Sequence, residues 1–340
     1  MIKVDNVVKY YGEHLALKGV SYTINKGEIV GFLGPNGAGK STMMRIITGY
    51  LPATSGYVYL DDYEVYDNPI ELKKRIGYMP ENVSLYTEMT VTDYLKFCAK
   101  LKGVPSKKVK SAVENTIEIT GLTKYKDRII GHLSKGYRQR TGIAQAIIHD
   151  PEVLILDEPT SGLDPNQLIE VRALIKSLGG TRTVILSTHI LSEVEDTCER
   201  ALIIDSGELI AEDTIEGLKM AMDREILGGN IELKVADRQN DALLCVREVN
   251  GVVQVETDNF GTIIIECERG NDSRAEIVKH LVNNNFDVLE IKPKERSLEE
   301  VFIYFTDKKK NQDFDKSKYI KDDSIKNNTE EEQLNKKTNY

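Results

Sequence analysis

The apolar positions change period several times along the chain, and each change marks an element. Near the start, MIKVDNVVKYY and VSYTI alternate apolar and polar residues, as does YVYL at 57 to 60, which predicts strands of an antiparallel layer with one face buried. Between them IVGFLG, residues 29 to 34, is continuously apolar and runs into a glycine turn, and STMMRIITGYL, residues 41 to 51, follows with helical spacing. From Thr90 to about Ile148 the spacing is mostly three and four, in VTDYLKFCAKLKG and KKVKSAVENTIEITGL, which predicts a helical subdomain. Short apolar runs then return as VLILDEP (153 to 159), TVILSTH (183 to 189) and RALIIDSGELI (200 to 210), separated by the helical QLIEVRALIKSL and ILSEVEDTCE. Strands this apolar, alternating with helices, imply a largely parallel sheet covered on both faces.

After about Gly228 the rhythm becomes strand, helix, strand, strand, helix, strand, from IELKV to FDVLEIKP, with an Asn-Phe-Gly hairpin at 259 to 261. That order predicts a small ferredoxin-like unit over about 229 to 306, closed by the amphipathic helix SLEEVFIYFT. From Asp307 to Tyr340 lysines and acids nearly balance and apolar residues are few, which predicts a solvated, disordered tail and not a basic arm for nucleic acid. The predicted architecture is therefore an α/β core with an antiparallel layer and an inserted helical subdomain at about 90 to 148, all within residues 1 to 228, then the small α+β unit and the tail.

Composition narrows the chemistry. A net charge of −9 excludes general affinity for nucleic acid or anionic lipid, so any anion must be held locally. The first residues lack a secretory signal pattern, and the longest apolar runs fall far short of the ~18 residues that span a bilayer, so the chain is expected in the cytosol with no direct membrane insertion. Cys98, Cys198, Cys245 and Cys267 show neither CxxC pairing nor a companion histidine spacing and are expected as reduced, mostly buried thiols.

GPNGAGKS, Gly34 to Ser41, has the G-x-x-x-x-G-K-[ST] spacing in its required place between strand and helix. The loop Gly34, Pro35, Asn36, Gly37, Ala38 and Gly39 can wrap its successive backbone N–H groups, all but the N–H that Pro35 lacks, around phosphate oxygens, with Thr42 in the first helical turn. Lys40 supplies a point charge to the β and γ groups and Ser41 a hydroxyl for Mg²⁺. VLILDEP delivers Asp157 and Glu158 to the carboxyl end of a strand, where α/β sheets bind ligands. Asp157 would hold Mg²⁺ and Glu158 would take the proton of an attacking water; two solvated acids before a proline would fit the same stretch. His189 ends another strand at the same sheet edge, which suits a γ-phosphate contact, whereas His14, His132, His149 and His280 have no such placement.

Between these motifs lies GHLSKGYRQR, residues 131 to 140, a flexible cationic loop that leads straight into the helix TGIAQAIIH. With the phosphate loop, the acidic strand end, His189 and the SGLD turn at Ser161 to Asp164, the ordered set resembles the ATP-binding subunit of an ABC transporter over roughly residues 2 to 220. The LSGGQ signature of that family is matched by Leu133, Ser134, Lys135, Gly136 and Tyr137, and Tyr11 matches its adenine-stacking aromatic. The resemblance implies bound ATP and Mg²⁺, ATP hydrolysis, and a homodimer in which Ser134 and Gly136, facing outward at a helix N-terminus, close on the γ-phosphate held by the other copy. Two departures from the pattern matter: Glu81, and Lys135 with Tyr137 in the signature. Glu81, in IGYMPEN, replaces the usual glutamine; it can reach Mg²⁺ but cannot donate a hydrogen bond as an amide does. Lys135 replaces a signature glycine, either to attract phosphate or, as favoured here, as a solvated side chain.

Glu81, LSKGYRQR and the C-terminal unit together are similar to the ATPases of type 2 ABC exporters, the gliding-motility, multidrug and antibiotic-peptide groups. This implies a separately encoded integral membrane permease as partner, with the chain held peripherally on the inner face of the membrane. NVSLYTEMTVTDYL, residues 82 to 95, is either the permease docking surface or an ordinary amphipathic surface helix. The competing class, a permease-free ABC protein acting on ribosomes or DNA, would be expected to show tandem cassettes or long heptads between Ser41 and Leu133, and neither is found.

Overall fold

The computed structural model describes residues 1–225, 230–258, 261–268, 273–294 and 296–309. These divide into two compact units, Met1–Ile215 with Phe305 onward, and Glu216–Tyr304.

In the first unit β1 (Ile2–Tyr11) buries every second side chain over much of its length and pairs antiparallel with β2 (His14–Ile24). The strand β3 (Ile29–Leu33) is buried on both faces, as its unbroken apolar run requires. It leads to α1 (Lys40–Ile47), then β4 (Ser55–Leu60) and β5 (Tyr63–Glu64), which complete an antiparallel sheet of order β2-β1-β4-β5. The helix α1 stops four residues short of the extent its spacing predicts. Thr48 turns its hydroxyl back to Met44 O at 2.9 Å, and Gly49 takes a φ of 64°, the left-handed conformation that ends a helix.

The chain continues through α2 (Pro69–Arg75), β6 (Ile76–Met79), α3 (Val91–Leu101), α4 (Val109–Ile119) and α5 (Lys135–Ile147). The last three helices enclose their own core of Val91, Leu95, Val113, Ile117, Leu133 and Ala144. Thr90 starts α3 as a cap whose hydroxyl oxygen accepts from Asp93 N at 3.1 Å. Then come β7 (Val153–Asp157), α6 (Pro165–Leu178), β8 (Thr183–Thr188), α7 (Leu191–Thr197), β9 (Arg200–Asp205) and β10 (Glu208–Thr214). The central sheet has the order β10-β9-β3-β8-β7-β6, parallel except for β10. Core residues of α1, Met43 and Met44 among them, fill the space between this sheet and the antiparallel one.

RALIIDSGELI is not one strand. Ser206 and Gly207, with φ of 49° and 81°, make a two-residue hairpin turn that splits it into β9 and β10. A positive φ at a serine leaves no mark in the apolar pattern, so periodicity ran through it.

In the second unit α8 (Ile215–Glu225) precedes β11 (Asn230–Val235), α9 (Gln239–Arg247), β12 (Val252–Thr257), β13 (Ile263–Cys267), α10 (Arg274–Asn283) and β14 (Val288–Pro293). The sheet order β12-β13-β11-β14, antiparallel throughout, is the ferredoxin-like arrangement. Of the predicted Asn-Phe-Gly hairpin, positions 259 and 260 lie outside the described residues; Asp258 and Thr262 face each other across it, Asp258 N to Thr262 O at 2.9 Å. The closing helix α11 spans 298–309, longer than predicted; its last residues, from Phe305, belong to the first unit, within which the Lys309 ammonium lies 3.0 Å from Asp205 O and 2.9 Å from Glu208 Oε2. Residues 310–340, the rest of the expected tail, lie outside the described residues.

Candidate active site

The loop from Gly34 to Gly39 bends tightly at the end of β3. Gly37 and Gly39 adopt φ of 84° and 108°, values that favour glycine. Gly39 then precedes α1 without a side-chain cap, so the first N–H groups of α1 have no side chain to bind, and the helix opens onto a cleft of about 560 Å³. Such a helix start, wrapped by backbone, suits an anion.

Lys40 is only 6% exposed. Its ammonium donates to Gly34 O at 2.7 Å and Pro35 O at 3.3 Å and sits 3.7 Å from Glu158 Oε1. Burial pushes its pKa down, and the carboxylates of Glu158 and Asp157 oppose that shift. The strand β7 carries both acids to the site: Asp157 is 2% and Glu158 6% exposed. Glu158 has a φ of 50°, a strained value for a residue with a Cβ, held by its N–H to Ser187 O at 2.8 Å and its carbonyl to Ser161 N at 3.2 Å. This turn aims the carboxylate sideways. One oxygen faces Lys40 and the other lies 2.8 Å from His189 Nδ1. His189, just past β8, is half-exposed and closes the third side.

The cleft brings together Tyr11, Asn36, Gly37, Gly39, Lys40, Ser41, Thr42, Glu81, Glu158 and His189 of the residues predicted from sequence. Tyr11 leaves β1 with its hydroxyl 3.5 Å from Thr42 Oγ1. Gly34 and Ala38 are buried supports behind the loop, and Asp157 lies beneath the cleft with Oδ1 buried and without a hydrogen-bond partner. Pro35 is exposed and contributes only its carbonyl, to Lys40. Three lining residues were not predicted: His14, Ala16 and Ser161. His14 had been set aside, yet it pairs with Tyr11 across the β1–β2 turn, so its spacing from the predicted aromatic was the available signal. Ser161 follows Glu158 within the SGLD turn.

Ser134 and Gly136 are not in this cleft. Ser134 is exposed and caps α5, its hydroxyl oxygen accepting weakly from Tyr137 N at 3.5 Å. Gly136 is buried beside Gln167 of α6, whose side-chain amide occupies the space a Cβ would need. Lys135 is exposed, and its ammonium lies over Gly162 of the SGLD turn. The signature loop is thus seated on α6, whose own start is capped by Asp164 accepting from Gln167 N at 3.0 Å.

Residues 17–161 match the ABC transporter family. The bacitracin transport ATP-binding protein BcrA of Bacillus licheniformis is 35% identical over 305 residues, spanning 89% of this chain and 96% of that protein. The chain belongs to the ABC transporter ATP-binding proteins. The linearmycin resistance ATP-binding protein LnrL of Bacillus subtilis is 33% identical over 310 residues, 90% of this chain and 98% of that protein. Among solved structures, an ATP-binding subunit of an ABC transporter superposes with a TM-score of 0.60 at 27% identity, over 65% of this chain and 93% of its own. A dimeric ATP-binding cassette in a post-hydrolysis state with ADP and Pi gives 0.57 at 29%, over 63% and 99%. The resemblance read from the motifs is therefore membership, and this ABC protein is an ATPase with the P-loop fold of those cassettes.

Proposed function

We propose that this ABC ATPase works as a homodimer beneath a separately encoded membrane permease, on the inner face of the membrane, and powers export of antibiotic molecules of the kind its relatives are named for. The observation that carries the chemistry is the position of Glu158, with one carboxylate oxygen toward Lys40 and the other toward His189 at the mouth of the anion cleft. Among the described residues no helix is long and apolar enough to cross a membrane. Relatives named for bacitracin transport and linearmycin resistance align over nearly their whole length, which supports antibiotic export over the ribosome or DNA alternative.

In this reading Tyr11 stacks on adenine, and the 36–42 backbone with Lys40 holds the β and γ phosphates. Glu158 accepts the proton of the attacking water, while His189, fixed by its bond to Glu158, meets the γ-phosphate. Ser134 and Gly136 act across the dimer on the partner's nucleotide, the seat on α6 fixing their position. Mg²⁺ fits Ser41, Asp157 and Glu81: they offer hard oxygens, and Asp157 Oδ1 is buried with no protein partner. When bound, the ion neutralises phosphate charge. Residues 82–95 are the permease docking surface; Tyr86 is exposed there, its ring 5.5 Å between centroids from that of Phe97, exposed just beyond the stretch.

The test is co-expression with the neighbouring membrane protein, with and without Glu158→Gln. Expected are co-purification, antibiotic protection that vanishes in the variant, turnover lower by roughly 10²- to 10⁴-fold, and an accumulated ATP-bound dimer. Unchanged turnover in Glu158→Gln refutes the base assignment, and protection that persists without hydrolysis refutes the coupling.

A further inference from the structure

The helix α7 carries a carboxylate that the mechanism above does not use. Glu193 is 0% exposed, and its hydrogen-bond partners are two hydroxyls. Thr160 donates its hydroxyl to Oε1, and Thr188 donates to Oε2 at 2.8 Å. Removing a carboxylate from water is costly, and among the described residues no cation is paired with this one, so burial here needs a reason.

The two threonines supply that reason. Thr160 lies two residues after Glu158, in the turn that gives Glu158 its left-handed backbone. Thr188 immediately precedes His189, and its hydroxyl oxygen also accepts from Ile190 N at 3.0 Å, so both neighbours of His189 are fixed. Both threonines are buried. Their segments meet again at the surface, where His189 Nδ1 lies 2.8 Å from Glu158 Oε2. Beneath that pair, Glu193 spans the same two segments. Its own backbone is held firmly, because the adjacent Val194 packs so closely on Gly31 of β3 that no Cβ would fit there.

We infer that Glu193 is a positioning residue for the Glu158 and His189 pair, holding the ends of β7 and β8 at the separation the pair requires. The inference rests on the roles proposed above for Glu158 and His189. Glutamine is a poor replacement although it has the same size. It offers one acceptor where two threonine hydroxyls donate, and its NH₂ would compete with Ile190 N–H for Thr188 Oγ1.

The test is steady-state ATP hydrolysis by the full-length chain carrying Glu193→Gln, Thr160→Val, Thr160→Ser, Thr188→Val or Thr188→Ser. Misplacement of a reacting pair by a fraction of an ångström lowers rate more than binding, so kcat should fall about tenfold or more in Glu193→Gln and both valine variants, with KM for ATP within about twofold of the parent. Both serine variants keep the hydroxyl and should stay within about twofold in kcat. The pH profile of kcat should also change shape in Glu193→Gln, because the environment of the pair is altered. Normal kcat in Glu193→Gln, serine variants as poor as valine, or rate losses that merely track melting temperature would overturn the inference. If Glu193→Gln does not fold, the serine and valine pairs still decide. Glu158→Gln run alongside separates the failures: an active Glu158→Gln removes the underlying reading, whereas an inactive Glu158→Gln beside a normal Glu193→Gln overturns the positioning role alone.

Discussion

Replacing Gly34 by alanine should damage the phosphate loop through packing alone. Gly34 needs no unusual backbone angle, for its φ is not among the positive ones, but a Cβ there would press into the Ile204 carbonyl oxygen of β9. It would also lie 2.9 Å from Ile204 Cγ2 and 3.1 Å from Ala38 Cβ. Carbon contacts are comfortable at about 3.5 to 4.0 Å, so either the loop or β9 must retreat by roughly half an ångström or more. Overpacking of this kind costs about 1 to 3 kcal/mol, and the upper end applies because a strand carbonyl cannot rotate aside. That is about 2 to 10 °C of melting temperature for a unit of this size. The loop is the softer side, and moving it displaces Gly34 O, which holds the Lys40 ammonium at 2.7 Å. An expected loss of about 1 to 2 kcal/mol in nucleotide binding corresponds to roughly five- to thirtyfold in Kd. Gly37→Ala is the control: nothing lies within 4 Å of its Cβ position, so it pays only for a φ of 84°, about 1 kcal/mol. Thermal denaturation and titration with a fluorescent ATP analogue read both quantities. A Gly34→Ala protein with the parent's melting temperature and ATP affinity would refute the packing argument.

Ser134→Arg should keep ATP binding to the single copy, since Ser134 lies outside the cleft, and lose ATP-dependent dimerisation; size-exclusion chromatography of the variant with ATP checks this, and a dimer there excludes the sandwich. Asp164→Ala removes the α6 cap and should cost about 1 kcal/mol by thermal denaturation, with ATP affinity of the single copy unchanged. His149 is half-buried, and that desolvation, with the Lys102 ammonium nearby, lowers its pKa to about 4, below the usual 6.5. The unfolded chain therefore binds the extra proton first, and stability falls as pH drops from about 6.5 to 4, by at most about 3 kcal/mol; denaturant titrations of the parent and His149→Gln across that range should differ in slope by this contribution.

The motifs were legible because each is local. A phosphate loop is one strand end, one glycine turn and one helix start, so GPNGAGKS carries its whole geometry within eight residues, and VLILDEP shows its buried strand in its own composition. The ferredoxin-like order was legible for the same reason, each of its strands and helices having a clear period. What periodicity could not show is which side chain meets which across long separations. Nothing in LSKGYRQR says that Gly136 lies beside Gln167 or that Lys135 reaches Gly162, since both partners stand more than 25 residues further along the chain. His14 ends no apolar strand run; its place in the cleft depends on the turn that folds it back beside Tyr11. The hairpin at Ser206 was hidden because a polar pair inside an apolar run looks like one alternation of a strand.

Glu158 shows how far this limit reaches into function. The composition of β7 delivers an acid to the sheet edge but does not say which way the acid points, and a straight strand end would send it into solvent. The φ of 50° turns it between Lys40 and His189, and that angle is maintained by bonds from β8, about 30 residues later in the chain, and from the turn that follows. A strained conformer persists only where its surroundings over-determine it. The bond to Ser187 ties Glu158 to β8 and the bond to Ser161 closes the turn, but neither fixes Thr188 and His189, beyond Ser187, against the turn that carries Thr160. A buried group that spans both segments does, and this is why an acid in the middle of a short helix, without any motif around it, belongs to the same site as the phosphate loop.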